Sequence, residues 1–122
     1  MTESQHQIQT AWFARVWAEA LPELRLLVAT PNGGFRNKIT ASRMKAEGQR
    51  AGFPDMTLPV ARGGFHGLFI ELKKPAEDGK RKGALSPEQR EWIEELRDEG
   101  YKVVVAYGWV EAIEAMLEYI GE

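Results

Sequence analysis

The sequence predicts an α/β domain, a central mixed β-sheet flanked by helices, and three observations carry that prediction. Apolar residues recur at helical steps near both ends of the chain. Two short strand-like runs, Met56 to Val60 and Leu68 to Lys73, flank a Gly63-Gly64 pair, which is a hairpin signal. A β-branched run, Lys102 to Tyr107, follows a well-marked helix and precedes another. The resulting order is α, β, α, β, β, α, β, α, without repeat, linker or low-complexity tract, over a single domain spanning 1–122.

Each element has its own signal. From Ser4 to Ala20, a helix is predicted whose inward stripe is Ile8, Trp12, Val16 and Ala20, widened by Phe13 and Trp17. Pro22 ends it or marks the turn, and Leu24 to Thr30 reads as a strand stopped by Pro31-Asn32-Gly33-Gly34. Ile39 to Glu47 is a short basic helix closed by Gly48 or Gly52. After the hairpin, Pro75 to Gly83 is a charged loop. Ser86-Pro87-Glu88-Gln89 opens the clearest helix. Serine caps it, proline suits its first position, and glutamine three residues on completes a capping box. Trp92, Ile93 and Leu96 are its inward stripe and Gly100 its stop. Trp109 to Ile120 closes the chain as a helix with Val110, Ile113, Met116, Leu117 and Ile120 inward. Trp12, Trp17 and Trp92 are expected in the core.

Composition excludes several classes of function. A chain of 122 residues, 43% hydrophobic and 28% charged, buries one core but not two. No apolar run approaches the roughly 20 residues that span a bilayer. The polar start MTESQHQIQT lacks a signal-peptide pattern, so a cytoplasmic protein without a membrane partner is expected. Cysteine is absent, which removes disulfides, thiol catalysis and thiolate metal sites. His6 and His66 are too few for a histidine-rich zinc site. A metal would therefore sit mainly on oxygen donors, which suits Mg²⁺ or Mn²⁺. The net charge of -2 does not mark a nucleic-acid binder. Its distribution is more telling: Arg36, Lys38, Arg43, Lys45 and Arg50 crowd one segment, and Lys73, Lys74, Lys80, Arg81 and Lys82 another. These are either a phosphate-binding face or solvated helices and loops.

The chemistry-bearing residues lie in the hairpin. Glu71 and Lys73 share a strand face, because side chains two apart point the same way, while Ile70 and Leu72 face the other side. With the hairpin centred on Gly63, opposing positions sum to 126, and Asp55 opposes Glu71. Two opposed carboxylates repel unless a positive group lies between them, and a divalent cation supplies one. Phosphodiester hydrolysis needs such a cation, with Lys73 beside it to orient water or neutralise the transition state. The plainer alternatives are that Asp55 is a turn residue, that Glu71 and Lys73 decorate a solvated edge strand, and that His66 is an exposed turn histidine.

Pro54-Asp55, Ile70-Glu71-Leu72-Lys73, and Leu85-Ser86-x-x-Gln89-x-x-Trp92 with Leu96 and Gly100 together resemble the VRR-NUC domain. That is the virus-type replication-repair branch of the PD-(D/E)XK nucleases. The likeness runs from the first helix to the last, and Pro31-Asn32-Gly33-Gly34 looks like phage-encoded, single-domain members. The resemblance implies a restriction-endonuclease-like fold and a Mg²⁺- or Mn²⁺-dependent DNA endonuclease, acting in phage or bacterial DNA replication or repair. It implies Asp55 and Glu71 as metal ligands, with the Leu72 carbonyl as a further one, and Lys73 as catalytic lysine. Gln89 would serve both cap and site. The family's first-helix acid, four before a glutamine, falls on Glu3 counted from Gln7, or is replaced by Gln5 counted from Gln9. Asn32, Arg36, Lys38, Arg43, Lys74 and Ser86 are the candidates for contacting DNA. Stand-alone members are similar to dimeric nucleases acting on branched DNA, so the resemblance implies duplex or branched DNA as partner and a homodimer. Two other readings stay open: a nuclease-derived DNA-binding module with impaired catalysis, supported only by the Gln5 register, and an acidic-faced interaction protein.

Overall fold

The computed structural model describes residues 1–31, 37–77 and 79–121. It contains helix α1 (Glu3–Trp17), a 3-10 helix (Pro22–Leu26), strand β1 (Val28–Ala29), helix α2 (Lys38–Ala46), strands β2 (Met56–Leu58) and β3 (Leu68–Lys73), helix α3 (Pro87–Asp98), strand β4 (Lys102–Tyr107) and helix α4 (Trp109–Gly121). The strands form one mixed sheet in the order β1-β2-β3-β4. Neighbours are antiparallel up to β3, and β4 runs parallel to β3 because α3 carries the chain back between them. This is the α/β architecture that the element order predicts. The breaker at 32–34 and the DNA-contact candidates Asn32 and Arg36 lie outside the described residues.

The hairpin holds the predicted register: Met56 faces Ile70, Thr57 faces Phe69 and Leu58 faces Leu68. At its tip Arg62 and Phe65 exchange backbone hydrogen bonds around Gly63 (φ 57°) and Gly64 (φ 84°). Two successive positive φ angles belong to a type I′ turn, which glycine adopts without steric cost. β2 ends at Leu58 rather than Val60, since Pro59 has no N–H to continue the ladder.

Both faces of the sheet are covered. Met56, Leu58, Leu68, Ile70 and Leu72 pack with Ala14, Ile113 and Met116 of α1 and α4. On the opposite face, Phe69 and Val103 join Ile93 and Leu96 of α3. All six residues of β3 are buried, as befits a central strand between β2 and β4. Among the described residues, no helix is long and apolar enough to cross a membrane.

Three expectations are corrected. The first helix forms, but it buries His6, Thr10 and Ala14. Of the predicted inward stripe, Ile8, Trp12 and Val16 are 65%, 54% and 52% exposed, Ala20 is exposed beyond the helix end, and Trp17 is exposed as well. The small side chains at positions 10 and 14 let α1 lie against α4, and His6 Nδ1 accepts the Trp109 N–H at 3.1 Å. Trp12 and Trp17 are therefore not core residues, whereas Trp92 is half-buried, edge-on to Phe53. The strand predicted over Leu24 to Thr30 shrinks to Val28–Ala29, because the chain first turns through the 3-10 helix that Pro22 opens and only Leu24 is buried there. In α4 the buried residues are Ala112, Ile113, Met116 and Tyr119, leaving Val110 and Leu117 exposed. The arc is rotated toward Tyr119, whose hydroxyl donates to the Val60 carbonyl at 2.6 Å.

Candidate active site

The site is built on the C-terminal half of β3. Glu71 and Lys73 share the sheet face that carries Phe69, under α3, and they are only 1% and 7% exposed. That burial removes the edge-strand alternative: a solvated pair would not sit on the central strand. Asp55 lies just before β2, in the register that opposes it to Glu71. It is no simple turn residue either, because its Oδ2 accepts the Leu72 N–H at 2.7 Å. A strand residue sends its N–H and C=O to the same side, so the Leu72 carbonyl points to the edge where Asp55 stands.

Helix α3 adds the third element. Its capping box forms as predicted, with the Ser86 hydroxyl accepting from the Gln89 N–H at 3.1 Å and Gln89 Oε1 accepting from the Ser86 N–H at 2.9 Å. The other end of the same amide, Nε2, donates to Glu71 Oε1 at 2.8 Å. Gln89 thus closes the helix and fixes the carboxylate with one side chain. Gly52 packs against this first turn so closely that a Cβ there would fall 2.7 Å from the Glu88 backbone carbon.

The electrostatics follow from the burial. Desolvation pushes the Glu71 carboxyl up to about 8, and the negative charge of Asp55 adds to this while Lys73 opposes it. Desolvation likewise raises Asp55, against the Leu72 N–H that favours its ionised form. Lys73 Nζ stands 4.0 Å from Glu71 Oε1, beyond hydrogen-bonding distance. Among the described residues, no hydrogen-bond donor other than the neighbouring Asp55 carboxyl, with which Glu71 can share a proton, is available to the buried Glu71 Oε2. A carboxylate oxygen buried beside a second carboxylate needs that proton or a cation.

The two first-helix candidates, Glu3 and Gln5, stand in different surroundings. Gln5 is exposed and committed to its own capping box, its Oε1 accepting the Thr2 N–H at 2.7 Å. Glu3 instead faces the site. A Cβ on Gly83 would lie 3.2 Å from Glu3 Oε2 and 3.3 Å from Lys73 Cδ, so the two side chains converge over that glycine. Glu3, Asp55 and Leu72 also line one groove of about 570 Å³, together with Trp12 and Met56. Among the described residues, no three or more His, Asp and Glu side chains are gathered closely enough to hold a metal by themselves. Two carboxylates and a carbonyl nevertheless suit Mg²⁺, which keeps several waters and takes few protein ligands.

The remaining candidates stand apart. Lys38 and Arg43 are exposed on α2, and Lys74 Nζ lies 3.8 Å from Glu77. His66 sits exposed at the opposite end of β3, against Tyr101. Sequence reasoning missed His6, which is 6% exposed and links α1 to the start of α4, where the Gly108 N–H donates to the Lys73 carbonyl. His6 shares helical spacing with Thr10 and Ala14, but that stripe is too polar and small to outweigh Ile8, Trp12 and Val16 by hydrophobicity.

An α/β sheet that gathers an Asp, a Glu and a Lys on one face beside a helix glutamine has the layout of a PD-(D/E)XK-type nuclease. The chain belongs to the VRR-NUC family: the model of the VRR-NUC domain matches residues 2–109. A solved structure described as a VRR_NUC domain protein is 32% identical, with a TM-score of 0.76 over 99% of this chain and 89% of that one. No curated protein matches.

Proposed function

We propose that the protein is a Mg²⁺- or Mn²⁺-dependent DNA endonuclease, selective for branched DNA and acting as a homodimer in phage or bacterial DNA replication or repair in the cytoplasm. The observation that carries the proposal is the buried Glu71 carboxyl opposed to Asp55, both raised by desolvation, on a face that also bears Lys73. Asp55, Glu71 and the Leu72 carbonyl would hold the cation, with Glu3 of the same groove acting on it through bound water, and the ion would supply an acidified water and positive charge against the phosphate oxygens. Lys73 is placed to stand beside the reacting phosphate, where it orients the attacking water and offsets the charge that builds as one P–O ester bond breaks. Gln89 is a positioning residue that holds Glu71 in its rotamer. Lys38, Arg43, Lys74 and the Ser86 end of α3, with Asn32 and Arg36, are the proposed DNA contacts.

The impaired-module reading rested on Gln5 at the metal position, and Gln5 is occupied with its cap while Glu3 faces the site. The homodimer draws its support from the apolar stripe that α1 leaves exposed.

The test is cleavage of labelled duplex, single-stranded and four-way-junction DNA with Mg²⁺, Mn²⁺ or EDTA, beside Lys73→Ala. Metal-dependent cutting that the variant loses, strongest on the junction, is the expected result. Binding without cutting under every metal would return the impaired module, and salt-insensitive, weak binding would favour an interaction protein.

A further inference from the structure

One buried polar side chain has no part in the proposed chemistry. His6 of α1 is 6% exposed and lies where α1, the end of β3 and the start of α4 meet. Its Nδ1 accepts the Trp109 N–H at 3.1 Å. Trp109 is the first residue of α4, and the N–H groups of a helix's first turn have no partner within the helix. His6 therefore caps α4 from a different helix. The preceding residue completes the junction, because the Gly108 N–H donates to the Lys73 carbonyl at 2.9 Å. Gly108 has φ 98°, and a Cβ there would come within 3.4 Å of His6 Cε1 and 3.5 Å of Pro75 Cγ, so glycine leaves room for the ring. Consecutive backbone N–H groups thus hold α1 and the strand that carries Glu71 and Lys73 in one frame.

That frame bears on Glu3. It stands one turn before His6 on neighbouring positions of the helix surface, and its Oε2 converges with Lys73 Cδ over Gly83. The end of a helix near a chain terminus frays unless it is tied down. The capping box of Thr2 and Gln5 closes this turn on itself and ties it to no other element. The ion pair of the N-terminal amine with Glu77, at 3.8 Å and exposed on both sides, is worth little. The His6 bond is shielded from water by the packing of the ring, which makes it the firmer tie. Among the described residues, the other ring nitrogen, Nε2, has no hydrogen-bond partner, so the hold on α4 runs through Nδ1.

We propose that His6 is a positioning residue for the candidate cation site: by capping α4 it fixes the first turn of α1 and so holds Glu3 in the groove beside Asp55. This rests on the reading of Asp55 and Glu71 as cation ligands, and it assigns the placement of Glu3 to a residue outside the groove.

The experiment titrates Mn²⁺ alone into the protein, without DNA, and reads the free ion by its electron paramagnetic resonance signal. Glu3→Gln weakens Mn²⁺ binding about tenfold, as for other groups that act on a metal from beyond its direct ligands. His6→Leu and His6→Phe fill the place of the ring without an acceptor, and whichever of them folds shows the same loss. His6→Asn, whose amide oxygen is placed from Cβ as Nδ1 is, stays within about threefold of the parent. Joining His6→Leu to Glu3→Gln adds nothing to Glu3→Gln alone, since both changes remove one effect. Ala14→Gly loosens α1 further along, leaves the cap intact and keeps the parent's affinity. Without metal, the Trp109 amide exchanges about tenfold faster with Leu than with Asn at position 6, as for one lost hydrogen bond.

Parent-like Mn²⁺ binding by His6→Leu or His6→Phe, an Asn variant as weak as they are, or losses that multiply in the double variant overturn the proposal. So does an Ala14→Gly protein that binds Mn²⁺ as weakly as His6→Leu, which would make His6 one more packing residue. No Mn²⁺ binding by the parent, or binding that Asp55→Asn leaves unchanged, refutes the cation site itself and the role of Glu3 with it. Failure of the proposal alone looks different: Mn²⁺ binding stays sensitive to Asp55→Asn and indifferent to His6.

Discussion

At the scale of single residues, the unusual feature is a carboxyl whose burial and neighbour both oppose its ionisation. Glu71 stands at about 8 in the fold against 4.5 for an unburied carboxyl. The folded state therefore holds this proton more tightly than the unfolded chain does. The associated stability is fully present below about pH 4.5 and is lost as pH rises through about 8. Melting in EDTA should accordingly shift to lower temperature between pH 5 and pH 9, and saturating Mg²⁺ should flatten the curve. A melting temperature that climbs over that range in EDTA would refute the coupled carboxyl pair. Asp55→Asn tests the same pair from the other side. The amide oxygen can still accept the Leu72 N–H that Asp55 Oδ2 accepts, while one of the two charges is gone. Metal-free melting at pH 9 should rise by about 4 °C, on the order of 1 kcal/mol for a chain of this size. The divalent-metal shift should vanish; a shift that persists would place the cation elsewhere. Lys73→Ala should fold and lose about a hundred- to a thousandfold in cleavage rate, the usual cost of removing one group that stabilises developing charge.

At the scale of elements, α3 shows how a helix start becomes part of a site. Ser86 and Gln89 satisfy each other's backbone N–H groups, and the same glutamine then reaches Glu71. Ser86→Ala should cost about 1 kcal/mol by chemical denaturation, as for other lost N-caps. If the cap also aims Gln89, metal-dependent cleavage should drop severalfold more than the stability loss explains, and a glutamine variant should not add to it. Equal losses from Ser86→Ala and from a destabilising change on the far face of α3 would leave the cap a purely structural device. Much of this was legible beforehand because it is local. The capping box, the Gly63-Gly64 turn and the alternation along β3 each depend on neighbours in sequence, although the Arg62–Phe65 pairing at the turn is offset by one residue from the β2–β3 ladder that opposes Asp55 to Glu71. What the sequence concealed is decided between elements. Helix α1 carries two stripes at the same helical spacing, Ile8-Trp12-Val16 and His6-Thr10-Ala14. Hydrophobicity favours the first for the core, but close approach to α4 requires the smaller second. The run from Leu24 to Thr30 misled for a related reason, since Pro22 starts a 3-10 turn whose lone buried contact is Leu24. Likewise, counting could not say that Glu3 rather than Gln5 lines the groove beside Asp55, which depends on how α1 meets β3.

At the scale of the whole molecule, the inverted α1 stripe leaves large apolar side chains where water should be. Ile8, Trp12, Val16 and Trp17 are exposed on one helix, and Leu26 and Val28 are exposed as well. Single exposed hydrophobics need no explanation, but a run of this length marks an interaction surface. A second copy is the partner that the proposed function supplies, through a two-fold interface in which the same patch meets itself. Trp12 would give such a pairing a consequence for chemistry, because it lines the groove that also holds Glu3, Asp55 and Leu72. A chain docked on the stripe would wall that groove, so pairing and substrate access would be linked. Trp12→Glu should therefore convert a dimer to a monomer by sedimentation equilibrium at micromolar concentration, with an unchanged fold, since the side chain contributes little to the core. The monomer should keep its divalent-metal melting shift, because Asp55 and Glu71 lie in one chain. It should lose the paired incisions that a two-site assembly makes on a four-way junction, and retain single nicks. A parent protein that sediments as a monomer, or a variant that remains a dimer, would move the interface off α1. Paired incision by a monomeric Trp12→Glu would separate assembly from cutting altogether.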